Sequence, residues 1–201
     1  MKMIVADLEG VFLPEIWINV AIKTGIEELK LTTRDISDYD VLMTKRLGIL
    51  KEHHIKIQDI QDVIATLNPL DGAVETLAWI RERSQIIILS DTFEEFIKPL
   101  MKKLNFPVVF CHSLTLDPAG NVIAYNLRID DQKKRAVKAF KQLNYEVIAF
   151  GDSYNDIGMI QQADHGFFFC PPESVITDFP EVPVTRSYEE LKIMLGSLLS
   201  S

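Results

Sequence analysis

Met3-Ile4-Val5-Ala6-Asp7-Leu8-Glu9-Gly10-Val11 is the stretch that decides the fold. Its apolar start is too short for a helix and rich in β-branched residues, which predicts a buried strand. It stops at two acids separated by one residue, followed by a glycine. Carboxylates at the C-terminal end of a central parallel strand stand where open α/β sheets bind ligands. Asp7 and Glu9 are two apart, so both can face one crevice as the strand ends. Gly10 permits a sharp turn and brings an uncovered backbone N–H close to whatever the acids hold. The same pattern also suits a solvated turn, so the rest of the chain has to discriminate.

The 201 residues suffice for one large domain or a domain with a sizeable insertion. An apolar fraction of 47% with 25% charged residues is that of an ordinary globular protein with a normal core. The net charge of −8 argues against nucleic acid as a partner. It also means that an anionic substrate needs local cations or a metal to overcome the overall field. Cys111 and Cys170 each close an apolar run and read as buried, inert thiols. Their separation offers neither a disulfide framework nor a zinc site. No apolar stretch reaches membrane-spanning length, and acids arrive by position 7, unlike a signal peptide, so the expected location is cytoplasmic with no membrane partner. The acidic surface is compatible with a monomer or a homodimer.

Outward from the first strand the pattern changes. Residues 15–30 carry apolar positions at helical spacing, 32–38 are polar and turn-like, and two further helical stretches cover 41–50 and 57–67. From Gly72 the chain alternates. Helices are expected at 73–83, 94–104, 132–143, 157–163 and 188–199. Strands are expected at 86–89, 107–111, 146–150, 166–169 and 182–185, with a hairpin at 114–127. This predicts an α/β class with a doubly wound, Rossmann-like parallel sheet. Residues 1–12 and 70–201 would form the catalytic core, and residues 13–69 a helical cap inserted after the first strand.

Three strand ends collect polar groups: Asp7-Leu8-Glu9-Gly10, Ser90-Asp91-Thr92 and Gly151-Asp152-Ser153-Tyr154-Asn155-Asp156. In a parallel sheet they share one edge and can converge. Asp7 and Asp152 are hard oxygen donors suited to magnesium, which would neutralise them and attract a phosphate. Ser90 with the N–H groups of Asp91 and Thr92 offers a phosphate cradle at a helix start. Lys133 or Lys134 could supply a further cation, although either also suits an exposed helix face. His53 and His54 read as a surface pair near a turn, and His112 and His165 as structural. Phe12 and Trp17 read as packing.

These motifs, in this order over residues 7–156, resemble the haloacid dehalogenase superfamily of aspartate-nucleophile phosphotransferases. The helical insertion is similar to the cap of phosphoserine phosphatases. Asp7-Leu8-Glu9-Gly10-Val11, Pro14-Glu15-Ile16-Trp17-Ile18 and Leu89-Ser90-Asp91-Thr92-Phe93 resemble the branch that is both phosphoserine phosphatase and homoserine phosphotransferase. Two features depart from the usual phosphatase pattern: Glu9 stands for an aspartate, and Asp91-Thr92 for two glycines.

The resemblance implies a magnesium-dependent phosphatase. Asp7 would be the nucleophile and form an aspartyl-phosphate, and Glu9 the acid that protonates the leaving alkoxide. Magnesium would be held by Asp7, the Glu9 backbone carbonyl and Asp152. Alignment of Asp131-Gln132-Lys133 with the family's Asx-Pro-Lys selects Lys133 over Lys134. Ser90, Asp91, Thr92 and Asn155 would meet the phosphate or substrate, and Asp156 would orient the metal's waters. Glu15 would bind the ammonium of L-phosphoserine and Arg46 its carboxylate. The resemblance implies that homoserine could replace water as the acceptor. Plain alternatives exist for the last pair: Glu15 as a first-turn helix acid and Arg46 as part of a solvated face. Rival functions are a phosphatase of another small phosphomonoester, such as a sugar phosphate or nucleotide, and a non-catalytic phospho-acceptor or scaffold module.

Overall fold

The computed structural model describes residues 1–200 apart from Thr33, Arg34 and Ser37. These three fall within the stretch expected to be turn-like, so that expectation lies partly outside the described residues. Around them, Asp35 N–H donates to the Thr32 carbonyl at 3.0 Å.

A seven-stranded sheet organises the molecule, in the order β4-β3-β2-β1-β5-β6-β7. Its strands are β1 (Lys2–Ala6), β2 (Gln85–Phe93), β3 (Val109–Leu116), β4 (Val122–Asn126), β5 (Glu146–Gly151), β6 (His165–Phe169) and β7 (Val184–Thr185). All pairs are parallel except β3–β4. β1 is central: Ile4 pairs with Ile86 on one side and Ile148 on the other. Strand order reverses between β1 and β5, and that switch point is where such sheets bind ligands.

Alternation along the strands splits the core in two. Ile4, Ala6, Ile88, Ile148 and Phe150 face one side; Met3, Val5, Leu89, Val147 and Ala149 face the other. The second side is covered by α6 (Gln132–Gln142), α7 (Ile157–Gln162) and α8 (Glu173–Asp178), through Val137, Met159 and Val175. The first takes α4 (Ala73–Arg81), α5 (Glu94–Met101) and α9 (Tyr188–Ser200). It also takes the inserted helices α1 (Ile16–Thr24), α2 (Tyr39–Glu52) and α3 (Ile57–Thr66). Ile16, Val20, Met43, Ile60 and Ile64 are buried in that same cluster. Each such side chain contributes about 1.5–3 kcal/mol, so the insertion is packed onto the core rather than tethered to it.

Several expectations need correction. The helix expected over 15–30 is broken: α1 ends at Gly25, whose φ of 72° is left-handed and whose N–H closes onto the Ala21 carbonyl. A 3-10 turn, Glu27–Lys30, follows. The strand expected at 86–89 runs on to Phe93; α5 begins at Glu94, as expected, but ends at Met101 rather than at 104. Ser90-Asp91-Thr92 is therefore an irregular strand end, not a helix start. The segments at 107–111 and 114–116 are one strand, β3, which pairs with β2 and then with β4. α8 was not anticipated, because Pro171-Pro172 before six residues hides a short helix. Cys111 is buried, but Cys170 is exposed, with a φ of 46° that turns it out of the strand. Among the described residues no helix is long and apolar enough to cross a membrane.

Candidate active site

The ends of β1 and β5 meet at the switch point. Asp7 N–H donates to the Phe150 carbonyl at 3.0 Å, which locks the first acid to the last turn of β5. Asp7, Asp152 and Asp156 each place a carboxylate oxygen within 4.8 Å of the others, and all three are buried. Two glycines make room for this. A Cβ on Gly10, whose φ is +75°, would stand 2.3 Å from Asp152 Oδ2. One on Gly151 would stand 2.2 Å from Asp156 Cγ. No larger residue fits at either place without moving an acid.

Lys133 enters the cluster from the first turn of α6. Its ammonium is 2.9 Å from Asp7 Oδ1, 2.7 Å from Asp156 Oδ1 and 3.8 Å from Asp91 Oδ2. Burial alone would drive its pKa down, but Asp156, Asp7 and Asp91 outweigh burial and hold it well above the usual lysine value. Lys134 is exposed. Burial, reinforced by Asp156, pushes the Asp7 carboxyl above its ordinary range, against the pull of Lys133. A dication at the cluster would reverse that direction.

Buried hard oxygens around an anionic cluster are what magnesium requires, so the donor set fits that ion. Asp156 is fully buried and both its oxygens are engaged: Oδ1 by Lys133, Oδ2 by the N–H groups of Asp152 and Ser153. It is suited to bracing Lys133 and the Asp152 loop, and it does not reach the cavity.

Glu9 borders the same cavity as Asp7 and reaches the start of α1. Its Oε2 accepts the Ile16 N–H at 2.8 Å. Burial, then the charge of Glu15, raise its pKa to about 7. Glu15 stands at the N-cap of α1 and makes no capping hydrogen bond. Arg46 is not on a solvated face: it is buried, stacks over the Trp17 ring at 4.5 Å, and gives one N–H to the Leu31 carbonyl at 2.8 Å. Its Nε is buried with no protein partner. Burial lowers its pKa to about 10, opposed by Tyr39, Glu9 and Glu15. Asp7, Glu9, Glu15, Arg46, Ser90 and Asp152 all border one cavity of about 430 Å³. Phe12 is buried packing; Trp17 packs edge-on against Phe96 and also borders the cavity.

Sequence reasoning missed what holds Asp91. Gln132 Nε2 donates to Asp91 Oδ1 at 3.0 Å, and His112 Nε2 is 3.6 Å from the same oxygen. Asn155 Nδ2 donates to Oδ2 at 3.0 Å. Burial would raise Asp91, but Lys133 and these donors win and hold it well below the usual carboxylate range. Thr92 N–H turns to Ser90 Oγ at 3.3 Å. No short-range pattern marks Gln132 or His112; their partners are remote in sequence.

A family profile described as haloacid dehalogenase-like hydrolase matches residues 1–164. The chain therefore belongs to the haloacid dehalogenase-like hydrolases and is an enzyme of that class. It is 57% identical over 192 residues to a Pseudomonas aeruginosa protein named phosphoserine phosphatase ThrH, covering 96% of this chain and 94% of that one. It is 25% identical to a phosphoserine phosphatase of Methanocaldococcus jannaschii, covering 84% and 85% of the two chains. Its fold is shared with a solved apo phosphoserine phosphatase at a TM-score of 0.76 and 20% identity, over 97% and 98% of the chains. A phospho-aspartyl intermediate analogue of phosphoserine phosphatase also superposes with a TM-score of 0.76, at 19% identity over 96% and 98%.

Proposed function

We propose that this enzyme is a magnesium-dependent phosphoserine phosphatase that works through an aspartyl-phosphate on Asp7 and can also pass the phosphoryl group to homoserine. The observation that carries the reading is a single cavity with two chemistries. Asp7 and Asp152 border it from the strand ends; Glu9, Glu15 and Arg46 border it from the insertion and the turn leading into it. The high identity to the Pseudomonas aeruginosa phosphatase supports the same substrate.

In this reading Asp7 attacks phosphorus. Lys133 and the Leu8 N–H, at 2.9 and 2.7 Å from Oδ1, fix its carboxylate. Asp7, the Glu9 carbonyl and Asp152 would hold magnesium, which supplies charge compensation at the phosphoryl oxygens. Glu9, protonated below about pH 7, gives its proton to the departing serine oxygen. It then takes a proton from water, or from the homoserine hydroxyl, as that oxygen attacks the acyl phosphate. Arg46 reads the substrate carboxylate with its guanidinium, and Glu15 reads the ammonium. Residues 13–69 act as the cap that carries this selectivity. A cytoplasmic setting agrees with two free thiols.

The test is incubation with L-phosphoserine and magnesium, with and without homoserine, with free phosphate and O-phosphohomoserine measured separately. Release of phosphate that EDTA abolishes is expected. No release from phosphoserine alongside rapid release from a sugar phosphate would replace this substrate assignment with the other one.

A further inference from the structure

Beside the substrate pocket lies a second cavity of about 460 Å³. Tyr39, Asp91, Tyr154 and Asn155 border both, so these four side chains form the wall between them. Part of the wall is bonded together. Tyr39 Oη donates to the Asp91 carbonyl at 3.1 Å, and Asn155 donates to the Asp91 carboxylate. Tyr39 differs from the other three. They come from the end of β2 and the 3-10 turn that follows β5, whereas Tyr39 opens the inserted helix α2. Its ring stands among aromatic neighbours, edge-on to Tyr125 at 6.0 Å and tilted to His112 at 6.3 Å. The chemistry outlined above gives it no part in the phosphoryl step. The second cavity is bordered by Leu127 and Ile129, which suit an apolar spacer, and by Asp91, Asp130 and Asp131, which outnumber Lys133 and leave its rim net negative.

We propose that Tyr39 is a specificity-determining residue: its ring closes the substrate pocket against the side cavity and so limits the length of the group esterified to phosphate. A small residue there would join the two spaces and admit a longer alcohol. The inference deepens the phosphoserine reading and rests on it.

O-Phospho-L-serine and O-phospho-L-tyrosine carry the same ammonium and carboxylate on spacers of different length, so their kcat/KM ratio isolates the wall. Removing a steric limit of a few methylene groups is expected to raise the tyrosine-to-serine ratio about tenfold or more in Tyr39→Ala. Tyr39→Phe keeps the ring and loses only the bond to Asp91, so its ratio stays within about twofold of wild type, in keeping with the modest net value of one neutral hydrogen bond. A crystal structure of Tyr39→Ala should show the cavities joined. An unchanged ratio in a folded Tyr39→Ala protein overturns the proposal, as does an equal rise in Tyr39→Phe. If the alanine variant does not fold, Tyr39→Leu is read by the same criteria. A wild type that turns over neither ester defeats the phosphoserine reading instead, and the wall is then tested by the ratio of naphthyl to phenyl phosphate.

Discussion

The two sides of the active-site cavity are built on different physics. On the sheet side, Asp7, Asp152 and Lys133 hang from strand ends and a helix start that are locked by backbone pairing and buried against one another. On the insertion side, Glu15, Tyr39 and Arg46 hang from helices whose hold on the core is side-chain packing and a few hydrogen bonds. The rigid side suits chemistry, where the nucleophile must be fixed before the substrate arrives. The packed side suits selection, where contacts can be exchanged without rebuilding the sheet. Substitutions on the first side should therefore reduce turnover of every ester, and those on the second should change which ester is preferred.

The sharpest break is Asp7→Asn. It should lower kcat for phosphoserine by about 10⁴-fold or more, because the covalent route is lost while the geometry stays. Phosphate release together with an unchanged melting temperature checks it, and wild-type turnover in that variant would eliminate the aspartyl-phosphate. Arg46→Ala comes next and tests the other side. It should raise KM for phosphoserine about 10- to 100-fold, the value of a charged, bidentate contact, and leave KM for p-nitrophenyl phosphate nearly unchanged. Equal effects on both esters would erase the division of labour between the two sides.

Glu9 lies between the two sides and can be read by pH. Its folded pKa, about 7, is raised above the ordinary 4.5, so the folded state binds the proton more tightly. That gain is complete below pH 4.5 and is lost as pH rises through 7. Glu9→Gln should therefore be more stable than wild type at pH 8 by about 1–2 kcal/mol, after discounting for partial exposure, and the difference should vanish near pH 4. Phosphoserine turnover by the wild type should fall above about pH 7, and the same variant should lose that fall. The smallest effect belongs to the insertion alone. Asp38 caps α2 by accepting the Val41 N–H at 3.0 Å, and Asp38→Ala should cost about 1 kcal/mol, or 2–4 °C in melting temperature. Turnover of saturating phosphoserine should not change with it.

The contrast between the two sides also explains what was legible in the residues. Asp7 and Asp152 could be brought to one edge because each follows a short periodic segment and parallel pairing aligns such ends. Helices α4, α6 and α9 were readable for the same local reason. Spacing left Lys133 and Lys134 equivalent, and packing alone puts Lys133 into the cluster. Ser90 to Thr92 was misplaced at a helix start because a strand that bulges at its end has no sharper signature than a turn. Arg46 looked as much like a surface cation as a ligand. Its burial under Trp17 joins side chains of α2 and α1 that lie in separate helices, a contact that spacing does not encode.

By itself the sequence determined most of the alternation of helices and strands, though not α8 or the break at Gly25, together with the acids at the strand ends and the anionic character that calls for a cation, because those depend on neighbours a few residues away. Tertiary structure alone decided the clasp of Gln132 on Asp91, the wall raised by Tyr39 and the exposure of Cys170. Those depend on segments such as 39 and 91, which lie 52 positions apart and meet only when the insertion closes its apolar face against the sheet.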